Sequence, residues 1–468
     1  MKKFNLQTSR ILKVGLIVVM VAFFASCEKW IDPEINVDPD APADVPMSLL
    51  IPSIQLDMGY NNLGNDVVRT TNIWMQMFDG VARQSFTQGR YQLTAADVNN
   101  QWGNMYTVQL MNAKILIAKA EEQQSPYNAA VGQILTALTL GHATDLWGSI
   151  PYSDALKGDE NVLKATFDTQ EEIYNSIFAL LDQAIVNLNV DPADNLIDIE
   201  GDVYYDGDPD AWLAAAYSIK ARHKLQLSKK NGNAAYTDAL AAVANGIASN
   251  GGQMECPFFA TNQNPLFQFM EQRAGDLVMC STLLTEMEAT SDPRIPYYYA
   301  EDDDGAYTGS DPGSENDAVS LPGPHLAGQT ASTHLMSYAE TKFIEAECEF
   351  VVGSKDNAAE AYIDAVTASI HNVTHAANSD WLAANVDGEN AASITLEKIL
   401  MQKRIALVGQ LQPYNDWRRT GIPALTLVPG ATLSARPQRF PYSQDEGIYN
   451  PDNVPTIGDI TEKVWWAQ

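Results

Sequence analysis

Ala358-Ala359-Glu360-Ala361-Tyr362-Ile363-Asp364-Ala365-Val366 alternates small and large side chains at helical spacing. Small residues let a neighbouring helix come close, and large ones fill the space beside it. The stretch predicts a helix packed on more than one side. Outward from it, helices are expected over about 332–352, 356–376 and 394–411. Further upstream, Thr94-Ala95-Ala96-Asp97 reads as an N-terminal cap, with Trp102, Tyr106, Leu110 and Ala113 following at helical spacing. Ser125-Pro126 opens another helix, which runs to Leu146-Trp147 and stops at Gly148. Thr169-Gln170-Glu171-Glu172 is a capping box ahead of Ile173, Ile177, Leu180, Leu181, Ala184 and Leu188 on one face. Asp208-Pro209 places a cap and a first-turn proline before Trp212, and 234–248 is an alanine-rich helix.

Long helices joined by short turns make αα-hairpins, and their repetition predicts an all-α, TPR-like helix-pair solenoid. No fixed 34-residue period is visible in it. The helical scaffold is expected at about 94–250 and 332–411. Between them, about 250–330 changes character: Pro, Gly, Asn, Asp and aromatics dominate, with one helix near 282–287, so this is an irregular, loop-rich lobe. Residues 420–468 read as irregular, with Pro-rich turns and a short strand pair.

The N-terminus carries Lys2, Lys3, Arg10 and Lys13, an apolar run over 14–24, and then Ala25-Ser26-Cys27. Positive flank, short apolar segment and small residues make a signal peptide over 1–26, too short for a permanent span. Cys27 stands where a bacterial lipobox places the lipidated residue. Residues 27–46, with Pro33, Pro39, Pro42 and Pro46, form a lipidated tether, and 47–468 the folded body. Of the 29 Lys and Arg, four lie in residues 1–26, which hold no acid. Without them 25 bases face 59 acids, a net charge of −34. Such a charge argues against nucleic acid and anionic surfaces and favours neutral or cationic ligands. Cys256, Cys280 and Cys348 remain; one disulfide (Cys256–Cys280 being nearest in sequence) or three buried thiols both fit.

Few constellations point to chemistry. His371-Asn372-Val373-Thr374-His375 sets two imidazoles one turn apart, but a zincin needs Glu at 372, and a solvated helix face explains the pair. Asp302, Asp303 and Asp304 form a weak calcium candidate without a full EF-hand loop; no other cofactor is expected. Glu340, Glu345, Glu347 and Glu349 read as a wet helix face, and no two acids stand out as a hydrolytic pair. No Gly-x-Ser-x-Gly, P-loop or Rossmann pattern occurs. Aromatics in loops remain. Sugar rings stack their CH faces on aromatic planes while amides and charged groups bond the hydroxyls. The candidate surfaces are Trp74 and Phe78 with Arg83 and Gln84; Phe258 and Phe259 with Asn262 and Asn264; and Tyr297, Tyr298, Tyr299 and Tyr307. From these, Trp74, Phe78, Arg83, Phe259, Asn264, Tyr299 and Tyr307 are the expected ligand-binding residues.

Several stretches together resemble the SusD/RagB family of nutrient-binding outer-membrane lipoproteins, in its SusD-like second subfamily. They are Leu146-Trp147-Gly148-Ser149-Ile150-Pro151-Tyr152-Ser153-Asp154-Ala155; Tyr205-Asp206-Gly207-Asp208 with Trp212 and Ser218-Ile219-Lys220-Ala221-Arg222; Asp292-Pro293-Arg294; Tyr338-Ala339-Glu340 leading to Glu345-Ala346-Glu347; Gln402-Lys403 with Trp417-Arg418-Arg419-Thr420-Gly421-Ile422-Pro423; and Arg439-Phe440-Pro441-Tyr442-Ser443 with Glu446 and Asn450. Tyr217 stands where Asn is usual, and Ile422 where Tyr is common. The resemblance implies four TPR-like helix pairs, a loop-rich ligand lobe and lipid anchoring at the outer membrane, exposed at the cell surface. It also implies a partner, a TonB-dependent, SusC-like β-barrel transporter. Arg418 and Arg419 are expected to pair with acids inside the fold. The expected function is capture of a neutral oligosaccharide in a cleft between lobe and helices, without catalysis. The alternatives are a lipid-anchored glycoside hydrolase and a protein-binding helical scaffold.

Overall fold

A computed structural model describes residues 45–468. Cys27, the signal segment and nearly all of the tether lie outside the described residues. Met47–Gln468 is one compact unit.

Eight helices stack in chain order, each on the next: α1 (Met111–Glu122), α2 (Pro126–Trp147), α3 (Gln170–Leu188), α4 (Pro209–Gln226), α5 (Asn233–Val243), α6 (Tyr338–Val352), α7 (Lys355–Thr374) and α8 (Leu396–Ala406). They form four helix pairs, so the solenoid is present. One of the helices, α2, is buried throughout: no residue from Tyr127 to Trp147 faces solvent. A helix with no polar face belongs inside, and its seams are closed by small residues such as Gly132 and Gly141. It ends at Gly148, whose φ of +80° suits glycine. The capping box at Thr169 forms as its spacing requires, and Asp208 caps α4 by accepting from the N–H groups of Asp210 and Ala211.

The loop-rich lobe is inserted between α5 and α6, the two helices of the third pair. Its ends are drawn together by β2 (Met254–Cys256) pairing antiparallel with β4 (Thr333–Met336). A second two-stranded sheet joins β1 (Phe78–Gly80) to β3 (Leu277–Met279), fastening the lobe to the N-terminal part of the body. Helices Pro265–Gln272 and Ser281–Glu288 lie within it.

Three local expectations need correction. The carboxylate of Asp97 accepts from the N–H and O–H of Thr94, which closes a turn; the helix begins at Asn99. Among the described residues of 420–468 there is no strand pair, only the helix Gln444–Tyr449 and a final 3₁₀ turn at Trp465–Ala467. Glu340 and Glu347 do not line a wet face. Helix α6 is covered by α5, α7 and α8, and each acid is buried against an arginine: Glu340 with Arg222 at 2.6 Å and Glu347 with Arg419 at 2.5 Å. Arg419 also reaches Asp416 at 2.9 Å, and Lys403 reaches the same carboxylate at 2.8 Å. Arg418 donates to the carbonyls of Asp145 and Gln438 and lies over the rings of Tyr414 and Trp466. Both arginines are therefore structural. Cys256, Cys280 and Cys348 are buried free thiols, so of the two readings open from the sequence the unpaired one holds.

Candidate ligand cleft

Where the lobe meets the last helix pairs, four chain segments leave a polar cleft of about 280 Å³. Glu255 comes from β2 and Gln253 from the residue just before it, and Pro324, His325 and Thr330 to Ser332 from the lobe. His334 comes from β4, and Asn372 and His375 from the C-terminal end of α7. The positions follow from local structure. In β4 the side chains alternate, so Leu335 turns into the core while His334 stays partly exposed. Helix α7 ends at His375, whose φ of +54° breaks the helical path. His371 and His375 therefore do not share a face. His375 lines the cleft, whereas His371 lines a different hollow with Ser249, Tyr338 and Asp364. The two imidazoles one turn apart are not a metal pair, and among the described residues no three His, Cys, Asp or Glu converge on a metal position.

A connected polar network makes the floor. Gln253 Nε2 donates to Asn372 Oδ1 at 2.8 Å and to Glu255 Oε2 at 3.0 Å. His334 Nε2 stands 3.2 Å from Glu255 Oε2, and the His325 and His334 rings stack with centroids 5.8 Å apart. Burial works to raise the Glu255 carboxyl, but the hydrogen bond and charge of His334, with Gln253 and Ser332, outweigh it and hold the carboxyl below its usual range. Burial, together with His334 and His375 nearby, pushes His325 down to about 3, so its ring is neutral at pH 7. Two buried acceptors have no partner: Gln253 Oε1 and Asn250 Oδ1. Asn250 lines a narrower space of about 40 Å³ that shares Gln253, His325, Ser332, His334 and Asn372 with the cleft. Chemically, the cleft offers amide acceptors, imidazole rings and one carboxylate. Such a surface binds hydroxyl, amide or amine donors and repels anions.

The residues expected from sequence are mostly elsewhere. Trp74 is fully buried: its Nε1 donates to the Gln88 carbonyl, and it packs on Tyr414 and Phe440. Phe78 is buried in β1, and Tyr299 is buried with its hydroxyl donating to the Cys280 carbonyl. No sugar can stack on these three, and we correct them to core. Asn264 is a buried N-cap whose Oδ1 accepts from Leu266 and Phe267. Its Nδ2 also donates to the Ala331 carbonyl at the cleft rim, and the residue lines the inner space. Arg83, half-exposed, pairs with Asp276 at 2.5 Å. Phe259 is 60% exposed on a turn that Asn262 closes by reciprocal backbone bonds. Tyr307 is half-buried in the acidic loop. In that loop Asp302 accepts from the backbone of Asp304 and Ala306 and from the Thr308 hydroxyl, which gives its carboxylate a role in shaping the loop. Arg83, Phe259 and Tyr307 do not line the cleft. Gln253, Glu255, His325 and His334 carried no sequence signal, because four separate segments supply the site; Asn372 and His375 were visible only as part of a helical histidine pair.

A family model described as starch-binding and associating with the outer membrane matches residues 39–443. Among solved structures, a SusD/RagB family protein of Bacteroides thetaiotaomicron is 24% identical, with a TM-score of 0.76, over 91% of this chain and 99% of that one. A chitin-binding protein is 24% identical with a TM-score of 0.79, over 90% of this chain and 100% of that one. A chitin-binding SusD homologue of Flavobacterium johnsoniae is 21% identical with a TM-score of 0.76, over 90% and 98%. At these identities the likeness is one of fold. Among curated proteins none matches. No described helix is long and apolar enough to cross a membrane. With the match across most of its length, the ordered stack of helix pairs and the lobe set into the third pair, the chain belongs to the SusD-like family.

Proposed function

We propose that this protein is a lipid-anchored binder at the cell surface that captures a neutral oligosaccharide in the lobe–helix cleft and passes it to a TonB-dependent outer-membrane transporter. The observation that carries the reading is the floor of the cleft. Two buried acceptors lie unpaired beside a network of amides, imidazoles and one carboxylate. A buried acceptor without a donor is costly, and a ligand hydroxyl or amide N–H relieves it. The volume, about 280 Å³, is just below the about 300–1,000 Å³ typical of ligand pockets, enough for one or two sugar rings. Binding needs no bond to break, so no catalytic group is assigned. Lipidation at Cys27 and the transporter partner rest on the sequence and on the family's association with the outer membrane.

The test is calorimetric titration of the purified protein against a panel of neutral oligosaccharides, including chito- and malto-oligomers. One ligand is expected to bind, and Asn372→Ala and His334→Ala each weaken it at least tenfold. Unchanged affinity in both variants removes the cleft from the function. Extraction of the tagged native protein in mild detergent is expected to bring a β-barrel transporter in near-equal amount.

A further inference from the structure

We propose that the cleft selects a sugar ring that carries a free primary amine, in a chain that is otherwise neutral. The inference rests on the binding reading above and names the chemical group that the site prefers.

The charge of the cleft gives the first reason. Glu255 is the one acid on its lining, and among the described residues no lysine or arginine lines either the cleft or the narrower space. The Glu255 carboxyl, held below its usual range, is ionised at pH 7, and the buried His325 ring beside it is neutral. The other titratable groups that face it in the cleft are the rings of His334 and His375. An ammonium brings a full positive charge to this carboxylate, and a hydrogen bond between charged partners is about twice as strong as a neutral one. A hydroxyl or an acetamide brings no charge, and a uronic acid brings a like one.

The hydrogen-bond inventory gives the second. Gln253 Nε2 turns both its hydrogens inward, to Asn372 Oδ1 and Glu255 Oε2. This fixes the amide, since the opposite orientation sets its oxygen against the carboxylate. Asn250 Nδ2 donates to the Ala368 carbonyl. These side chains leave acceptors over: Gln253 Oε1 and Asn250 Oδ1, both unpaired, and Glu255 Oε1, to which the Ser332 hydroxyl donates over a long 3.5 Å. Neutral His325 adds one donor and one acceptor. A hydroxyl has one hydrogen to give and lone pairs that want donors in return, and an acetamide pairs its N–H with a carbonyl. An ammonium has three donors and no acceptor, which suits a surplus of acceptors.

The experiment changes one substituent on a fixed backbone. β-1,4-linked oligomers of glucose, N-acetylglucosamine and glucosamine differ at C2, where they carry a hydroxyl, an acetamide or an amine. These three, with the corresponding monosaccharides of the gluco, galacto and manno series, are titrated calorimetrically into the purified protein at pH 7. In each series that binds, the amine form is expected to bind at least tenfold more tightly than the other two. Raising the salt from about 50 to about 500 mM is expected to shrink that margin, which reads the charge without any variant. Glu255→Gln is expected to abolish the margin, whatever it does to the separate affinities. Equal binding of the three forms, tighter binding of the hydroxyl or acetamide form, binding confined to amine-free glucans, or a margin that survives Glu255→Gln overturns this inference and leaves the binding reading standing. No binding to any of these probes or to the panel above overturns both.

Discussion

Lowering the pH from 7 to 5 is expected to weaken the fold through three buried groups near the centre of the helix stack. His142 and His223 face a small space with Asp145 and Arg222, and neither nitrogen of His223 has a hydrogen-bond partner. The ring cannot shift easily, since Gly141 packs against it so closely that a Cβ there would stand 2.4 Å from its Cε1. Burial, then the charge of Arg222, pushes both histidines down to about 3. Their folded values lie below the unfolded one, so the stability they confer is complete above about pH 6.5 and is lost as the pH falls toward 3. Between pH 7 and 5 each loses about 2 kcal/mol, because the unfolded imidazole takes up a proton that the folded one refuses. Asp145 works in the opposite sense. Burial pushes it up to about 6 against the pull of Arg418 and the hydrogen bonds of Tyr174 and Trp466. Its folded form holds a proton that the unfolded form releases, and the same change of pH returns about 1.3 kcal/mol. The three groups together cost about 2.5 kcal/mol. Urea melts at pH 7 and pH 5 on the wild type and on His223→Gln measure this. The variant is expected to show a smaller drop by about 2 kcal/mol, the share of one histidine. Equal drops in the two proteins refute the assignment, whatever the stability of the variant at pH 7.

Two further outcomes follow from the buried polar groups. Glu347→Ala strands Arg419, which keeps the Ser228 hydroxyl and one oxygen of the Asp416 carboxylate whose other oxygen Lys403 holds, and a loss of about 3–5 kcal/mol is expected; Glu345→Ala, on the partly exposed pair with Lys342, is expected to cost under about 1 kcal/mol in the same urea melts. Burial pushes the thiols of Cys256 and Cys280 up to about 12 and that of Cys348 higher still, so a thiol reagent at pH 8 is expected to leave all three unmodified in the native protein and to label them in urea.

The stack was legible in the sequence because its signals are local. A capping box at Thr169, a proline after Asp208 and a glycine after Trp147 each act within one helical turn, and each does in the structure what its spacing requires. Thr94 and Asp97 failed for an equally local reason: the same pair of groups closes a turn as readily as it opens a helix. The acids of α6 were misread because pairing erases the sign that a charge belongs outside. Arg222 and Arg419, more than a hundred and about seventy residues away in sequence, decide that Glu340 and Glu347 are interior. The site was harder again. Trp74 and Tyr299 look like stacking residues by type and by their loop-like neighbourhoods, yet composition does not tell a buried ring from a bare one. The polar floor of the cleft is assembled by β2 meeting β4 and α7, a long-range event with no local mark.

The position of the lobe bears on how such a protein changes over evolutionary time. Both its ends leave from adjacent helices, α5 and α6, which touch each other directly. The stack therefore continues across the insertion as if the intervening residues were a single connection. The entropy of closing a connection grows only slowly with its length, by about 0.6 kcal/mol per doubling. A longer, shorter or wholly foreign segment, grafted at the point where β2 meets β4, leaves the register of the eight helices undisturbed. The lobe can then diversify as an exchangeable cassette while the scaffold stays constant.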